Sequence, residues 1–242
     1  MKELIKRALK NLGYEVHKIN LNDSQKVEDH SVQLRDKTYH VKSYGGMSYR
    51  QYFDAREDYF IDEVIKNGFE SLGYIGASYG LQSMVLSNYG EVVAFEPVEV
   101  IFKAMIKNFE ENNISNIHSY KIGLGPQNEI ISVIHNGHTG ATPSVSNLSG
   151  QIKEDLHIVD FNSPIFRIFD SLVIDIEGFE FDAIVKGPSI PQNIKKIYLE
   201  AHHNFYEEED SFERILNEMK GQGFEVQQIG NRNKQEHMMF KR

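Results

Sequence analysis

The pattern of hydrophobic and polar positions changes at about residue 72 of the chain. From there on, short apolar runs alternate with longer stretches whose apolar residues recur at helical spacing, which is typical of parallel βαβ units. The predicted strands are Leu72–Ile75, Val92–Phe95, Ile117–Ile122, Leu172–Ile176, Ile197–Ala201, Phe224–Ile229 and Met238–Phe240. Helices are predicted over Val98–Glu111 and Ser211–Lys220. This pattern predicts an α/β, Rossmann-like fold with a seven-stranded, mostly parallel sheet that ends in an antiparallel pair.

The opening residues 1–54 predict a smaller unit ahead of the main domain. Apolar residues within Met1–Leu12 recur at helical spacing, which predicts a short amphipathic helix. A small β cap is predicted from strand-like stretches at 14–19 and 32–42, the second of which contains a hairpin turn at Arg35–Lys37. A helix over Ala55–Lys66 then leads into the main domain, expected to span residues 55–242.

Composition narrows the classes of function. The 242-residue chain has no cysteine, so disulfides, thiolate metal sites and thiol nucleophiles are excluded. A net charge of −9 with scattered Lys and Arg residues argues against nucleic acid as a partner. No apolar run approaches the roughly 18 residues of a membrane span, and the N-terminal segment lacks the continuous apolar core of a signal peptide. We therefore expect a cytoplasmic protein without a membrane span.

A glycine-containing turn follows the first predicted strand, in the segment Tyr74–Gly80. Gly76 and Gly80 would permit a tight strand-to-helix turn and the close approach of a ligand to the backbone. Free amides at the start of the helix could bind a carboxylate or phosphate. Taken alone, the spacing fits a plain βα turn equally well.

An acidic residue, Glu96, ends the second predicted strand, 20 residues after Gly76. A carboxylate at this position can accept hydrogen bonds from both ribose hydroxyls of an adenosine cofactor. Pro97 would then start the next helix in a favoured place. The alternative is a surface glutamate that caps this helix, but the strand–acid–helix context favours the cofactor role.

Polar residues also follow the fourth and fifth predicted strands. Asp175 and Glu177 end a buried strand, where they could orient a hydroxyl acceptor, bind a divalent cation or cap the next helix. In the fifth strand, alternation places Glu200 and His202 on one side and His203 on the other. A neutral histidine there could take a proton near pH 7, or could simply bond to neighbouring loops.

Together these segments resemble the FkbM family of methyltransferases over roughly residues 52–205. The matching pieces are Ile75–Ala77, Phe95–Pro97, Asn108 with Asn112–Asn113, Gly123–Gly125, Asp175–Glu180 and Leu199–His202. One position departs from the family pattern, since Tyr74 stands where an aspartate usually helps hold the methionine end of the cofactor. Asp58 or Glu57 could substitute for that acid.

The resemblance implies a class I methyltransferase fold and methyl transfer from S-adenosylmethionine, usually to a hydroxyl of a sugar or natural product. The expected cofactor-binding residues are Gly76, Ala77, Ser78, Gly80, Glu96, Pro97 and Asp175.

The expected catalytic residues are His202, Asp175 and Glu177, which would face a small-molecule or glycan acceptor. His202 is the predicted general base, and Asp175 with Glu177 could bind Mg²⁺. A long polar loop is expected to close over the acceptor, at Asn136–Gly150 with His138, Thr139 and Thr142.

Two other functions are compatible with the sequence. The tyrosine at position 74 would suit a degenerate, non-catalytic relative that only binds a ligand. A nicotinamide-dependent oxidoreductase also uses a glycine turn followed by an acid. The Gly-x-Gly-x-x-Gly spacing is absent here, however, so a pyrophosphate would lack its close-approach glycine.

Overall fold

A computed structural model of the protein describes residues 27–44, 58–135, 152–203, 206, 209–232 and 235–242. The strands are β1 (Val27–Leu34), β2 (Lys37–Tyr44), β3 (Ser71–Ile75), β4 (Glu91–Phe95), β5 (Ile117–Tyr120), β6 (Gly123–Leu124), β7 (Glu129–His135), β8 (Ile152–Val159), β9 (Ser171–Ile174), β10 (Lys196–His202), β11 (Glu225–Arg232) and β12 (Gln235–Lys241). The helices are α1 (Asp58–Asn67), α2 (Leu81–Leu86), α3 (Glu99–Glu111) and α4 (Ser211–Gly221), with a 3₁₀ helix at Pro164–Ile168 and a π-helical turn at Asp182–Lys186. None of the helices described is both long and apolar enough to cross a membrane.

Seven strands form the main sheet in the order β11-β12-β10-β9-β3-β4-β5. Neighbours from β10 to β5 run parallel, whereas β12 runs antiparallel to β10 and to β11. The predicted seven-stranded, mostly parallel sheet with its antiparallel closing pair is therefore confirmed. The strand order reverses between β3 and β9, and ligands of open α/β sheets bind at such a point, beyond the carboxyl ends of the strands.

Both faces of the central strands are buried, which explains why their sequences are nearly continuous apolar runs. Tyr74 and Ala94 belong to a core that includes residues of α1, α2 and α3. Ile75 and Phe95 point to the opposite face, into a core that includes the 3₁₀ helix and α4.

A second, three-stranded sheet in the order β6-β8-β7 is absent from the sequence-based prediction. β8 carries Lys153, Glu154 and Asp155 in succession, which interrupts the apolar alternation that identifies a strand. The predicted strand Ile117–Ile122 ends early, at Tyr120, because the next residues turn towards this small sheet, where β6 pairs with β8.

The predicted hairpin is confirmed, with β1 and β2 paired antiparallel around Arg35 and Asp36. The predicted N-terminal helix Met1–Leu12, the stretch at 14–19 and the loop Asn136–Gly150 lie outside the described residues. The predicted helix Ala55–Lys66 corresponds to α1, which ends one residue later at Asn67, and residues 55–57 lie outside the described residues. The division of the chain at residue 54 stays a prediction.

Asn108 of α3 and Asn112, the residue that caps the end of α3, dock this hairpin on the main domain. Asn108 accepts from the Lys42 amide at 2.6 Å and donates to the Lys42 carbonyl at 3.1 Å. Asn112 pairs in the same way with His40, at 2.8 and 2.5 Å. Asn108 also donates to the Tyr79 carbonyl at 2.9 Å, so one buried side chain joins the hairpin to the glycine turn.

Candidate active site

The glycine turn after β3 is fixed from both sides by neighbouring strands. The amides of Gly76 and Ala77 both donate to the Phe95 carbonyl at 2.9 Å. Gly76 has a φ of +82°, and a Cβ there would lie 1.6 Å from the Asp175 carbonyl oxygen. Glycine is therefore required because the chain beyond β9 approaches so closely, and the turn is in contact with Asp175.

The end of the same turn combines strain with an unpaired hydroxyl. Ser78 has a φ of +51°, a left-handed conformation that is uncommon for serine. Its Oγ is buried without a hydrogen-bond partner among the described residues. At Gly80, just before α2, a Cβ would lie 2.4 Å from the Phe109 ring, so the packing of α3 requires glycine there.

Glu96 lies just beyond β4 and is buried. Its Oε2 accepts from the Ser78 amide at 3.1 Å, and its Oε1 accepts from the Val98 amide at 3.0 Å. Burial raises the pKa of Glu96 to about 7, although both backbone hydrogen bonds oppose the shift. Glu96 thus links the glycine turn to the start of α3.

Pro97 does not start α3 as expected. Val98 is the N-cap in an extended conformation, and the helix begins at Glu99, two residues after Pro97. The physical reason is the hydrogen bond from the Val98 amide to Glu96, because this bond holds Val98 outside the helix.

The acidic segment after β9 forms a tight turn. The Asp175 amide donates to the Ile75 carbonyl at 3.0 Å, which continues the pairing of β9 with β3. Glu177 has a φ of +52° and Gly178 a φ of +104°, so the chain reverses there. The side chain of Asp175 is 22% exposed and that of Glu177 is 34% exposed, so both can be reached from solvent.

Glu180 organises this turn from inside. Its side chain is fully buried and accepts from the amides of Ile176 at 3.2 Å and Gly178 at 3.1–3.2 Å. It also accepts from the Tyr206 hydroxyl at 3.1 Å and lies 2.9 Å from His202 Nδ1. The sequence analysis included Glu180 only as part of the family-like segment Asp175–Glu180, which is the signal for its larger role.

His202, the last residue of β10, lies at the centre of the acidic cluster. Its side chain is 2% exposed, and Nδ1 contacts Glu180. Nε2 lies 3.7 Å from Asp175 Oδ1, 3.6 Å from Glu177 Oε2 and 3.8 Å from Glu200 Oε1. The structure therefore brings together all three residues that were expected to face the acceptor.

The pKa values of three residues in the cluster, His202, Asp175 and Glu177, are shifted upwards. Burial alone would lower the pKa of His202, but the hydrogen bond to Glu180 and the nearby carboxylates raise it to about 10. Burial and the charge of Glu200 raise the pKa of Asp175 well above its usual range. Burial also raises the pKa of Glu177, against the effect of His202.

The expected alternation along β10 is confirmed. His203 lies apart from the cluster, with its ring 4.4 Å from Phe212 and 5.9 Å from Tyr206, centre to centre. Burial lowers the pKa of His203.

Two residues that the sequence did not single out extend the cluster towards α1. His237 of β12 is fully buried, with Nε2 3.2 Å from Glu200 Oε1. The Tyr59 hydroxyl contacts His237 Nδ1. Neither residue belongs to a local motif, because the contact depends on β12 pairing with β10.

Tyr74 takes the place of the family aspartate as a buried side chain. Its hydroxyl donates to Gln82 Oε1 of α2 at 2.7 Å. Of the two suggested substitutes, Glu57 lies outside the described residues, and the side chain of Asp58 is not among those described.

Three solved methyltransferase structures are similar to this chain. The T. thermophilus 16S rRNA N2 methyltransferase RsmC, in complex with AdoMet and guanosine, is similar with a TM-score of 0.51 and 14% identity, covering 90% of this chain and 51% of that chain. A ribosomal protein L11 methylase from Lactobacillus delbrueckii subsp. bulgaricus is similar with a TM-score of 0.46 and 13% identity, covering 76% of this chain and 74% of that chain. A precorrin-6y C5,15-methyltransferase from Geobacter metallireducens matches with a TM-score of 0.46 and 11% identity, covering 76% of this chain and 86% of that chain. The fold is that of the class I, Rossmann-like methyltransferases.

A comparison of the sequence with models of protein families identifies the family of this chain. The methyltransferase FkbM domain model matches residues 74–226, more than half of the chain. The protein therefore belongs to the FkbM methyltransferase family, as its motifs predicted. No curated protein sequence matches the chain.

Proposed function

We propose that this protein transfers a methyl group from S-adenosylmethionine to a hydroxyl group of a sugar or small natural product. The supporting observation is that the glycine turn, Glu96 and the cluster around His202 lie at one edge of the sheet, beside its switch point. We call this edge the crevice, with a β3–β4 half and a β9–β10 half. The two halves meet where Gly76 contacts the Asp175 carbonyl. A cofactor on one half would lie next to an acceptor on the other.

The residues of the β3–β4 half fit an adenosine cofactor. A carboxylate offers about four acceptor positions, and backbone amides take two at Glu96, so ribose hydroxyls can use the others. The buried Ser78 hydroxyl has hydrogen-bonding capacity for a ligand. Gly76, Ala77, Gly80 and Pro97 would act through the shape of the backbone. When bound, S-adenosylmethionine supplies an activated methyl group on a sulfonium.

The β9–β10 half would hold the acceptor and take its proton. Transfer of the methyl group to the acceptor oxygen would break the carbon–sulfur bond of the sulfonium and leave a neutral thioether, and the hydroxyl proton of the acceptor must pass to a base. A pKa of about 10 keeps His202 protonated near neutral pH in the metal-free protein, which argues against its predicted role as the base. We assign the proton to Glu177, the most exposed of the carboxylates around His202 Nε2. Asp175 would orient the acceptor hydroxyl.

The Mg²⁺ expected at Asp175 and Glu177 is not supported. The His202 ring lies within 4 Å of both carboxylates, whereas Mg²⁺ favours oxygen ligands.

Mass spectrometry of products from purified protein and isotope-labelled S-adenosylmethionine tests the reaction. Candidate acceptors are sugars and hydroxylated small molecules, with RNA and protein as further arms. We expect one labelled methyl group on a small molecule or glycan and none on RNA. Binding of S-adenosylhomocysteine without any methylated product would favour the non-catalytic binding module. Binding of NAD instead would favour the oxidoreductase. The cytoplasmic location stays a prediction that cell fractionation can check.

A further inference from the structure

Three side chains beyond β9 and along β10 offer ligand atoms to a common point. Asp175, Glu200 and His202 each provide one such atom, and these atoms all lie within 4.8 Å of one another. His202 Nε2 lies 3.7 Å from Asp175 and 3.8 Å from Glu200. These separations exceed a hydrogen bond of about 2.7–3.2 Å. They suit two ligands of one ion, because metal–ligand bonds of about 2.0–2.2 Å place ligand atoms about 3–4 Å apart.

A buried outer partner fixes the orientation of His202, and a second lies beside Glu200. A metal-binding histidine usually donates its second ring N–H to a carboxylate, and ligating carboxylates are themselves hydrogen-bonded. The fully buried Glu180 lies 2.9 Å from His202 Nδ1, which directs Nε2 towards the other carboxylates. His237 lies 3.2 Å from Glu200, and Tyr59 contacts the far side of the His237 ring.

The position of His237, which is not one of the three ligands, is a second observation that points to a cation. Its Nε2 is fully buried and directed at Glu200, yet forms no aligned hydrogen bond among the described residues. A cation shared by Glu200 and His202 would fix the Glu200 carboxylate, which this ring nitrogen could then contact.

We propose that Asp175, Glu200 and His202 bind one divalent transition-metal cation of the Mn²⁺ or Zn²⁺ type, in preference to Mg²⁺. Imidazole is a ligand for transition metals, whereas Mg²⁺ is bound through oxygen. The cation takes the Nε2 position of the ring, while Nδ1–H stays on Glu180. Glu177, 3.6 Å from Nε2, remains available to the acceptor. Metal binding is independent of methyl transfer, and only a role of the cation in orienting the acceptor oxygen rests on the proposed function.

Metal binding can be measured on the full-length protein after chelation and dialysis. Equilibrium dialysis against MnCl₂, ZnCl₂ or MgCl₂, followed by elemental analysis, should give about one Mn²⁺ or Zn²⁺ per chain, with Mg²⁺ bound at least about tenfold more weakly. Glu200→Gln and His202→Gln should weaken Mn²⁺ binding at least about 100-fold, and Glu180→Gln about 10- to 100-fold. His203→Gln is the matched control, one residue along the chain, and should leave the affinity within about twofold.

Pulsed electron paramagnetic resonance of Mn²⁺ bound to the wild-type protein provides a readout that does not depend on whether the variants fold. A nitrogen coupling from one imidazole is expected. Absence of stoichiometric Mn²⁺ or Zn²⁺ binding, absence of that coupling, or full affinity in folded Glu200→Gln would overturn the site. Metal binding without methyl transfer would contradict the proposed function and leave the site intact.

Discussion

The two halves of the crevice stabilise their acidic groups in different ways. On the β3–β4 side, among the residues that the structure describes, Glu96 accepts hydrogen bonds from two backbone amides, those of Ser78 and Val98. On the β9–β10 side, the His202 imidazole lies among the carboxylates of Asp175, Glu177, Glu180 and Glu200. Glu180 combines backbone amides with side-chain partners, since it also contacts His202 and accepts from Tyr206.

This difference indicates a division of labour. Backbone donors form part of the rigid scaffold, and a buried carboxylate held by them suits a neutral ligand that donates hydrogen bonds. A cluster of ionisable side chains suits a reaction in which a proton or a cation moves. The predictions below test whether the two halves can be disturbed separately.

The largest effect is expected from Glu177→Gln. Removal of the proposed base should lower turnover about 10²- to 10⁴-fold, with cofactor affinity within about twofold of the wild type. Steady-state kinetics and calorimetry measure the two quantities, with Glu110→Gln on the exposed side of α3 as the control. Near-normal turnover would break the proposed division and make His202 the next residue to test.

Glu180→Ala should destabilise the acidic half. It removes the buried carboxylate beside His202 and leaves the amide of Gly178 and the Tyr206 hydroxyl without this acceptor. We expect the free energy of unfolding to fall by about 3–5 kcal/mol in urea titrations. Glu177→Gln, at a more exposed carboxylate, should change it by less than about 1 kcal/mol. Equal losses in both variants would contradict the central position of Glu180.

The free energy of unfolding should depend on pH through Glu96, the buried acid of the β3–β4 half. The pKa of Glu96 is raised from 4.5 to about 7, so folding is favoured while this carboxyl is protonated, and the advantage is lost as pH rises through about 7. Between pH 5 and pH 8, the wild-type protein should lose about 2–3 kcal/mol of unfolding free energy relative to Glu96→Gln. A difference between the two proteins that does not change with pH would show that Glu96 titrates normally.

The smallest effect is expected at Tyr74. Tyr74→Phe removes the hydrogen bond to Gln82 and should lower the free energy of unfolding by about 1 kcal/mol. Cofactor affinity should stay within about twofold, because the hydroxyl bonds to α2. A tenfold loss of affinity would show instead that Tyr74 has taken over the role of the family aspartate.

The centre of the main sheet could be predicted because its strands, β3, β4, β9 and β10, are buried on both faces. In β3 and β9, nearly every residue is apolar, and the acid or glycine that follows marks the strand end. β8 could not be predicted, since its run of three charged residues lies in a small sheet that is not buried in this way.

The candidate site was predictable only in part. Glu96, Asp175 and His202 stand at strand ends, and parallel strands bring such ends together. The contacts of Glu180 and His237 depend on the folding of a turn and on the pairing of β12 with β10, which no local spacing reveals. The charge state of His202 depends on all of these neighbours, so its assignment as the base could not be judged from sequence.

Calorimetric titration of the wild-type protein and Glu96→Gln with S-adenosylmethionine tests the central claim most directly. Loss of the charged acceptor for the ribose hydroxyls should weaken binding at least about tenfold, the ratio that corresponds to about 1.4 kcal/mol. NAD should bind neither protein at comparable concentrations. Equal affinity of S-adenosylmethionine for both proteins, or no binding to the wild type, would contradict the account.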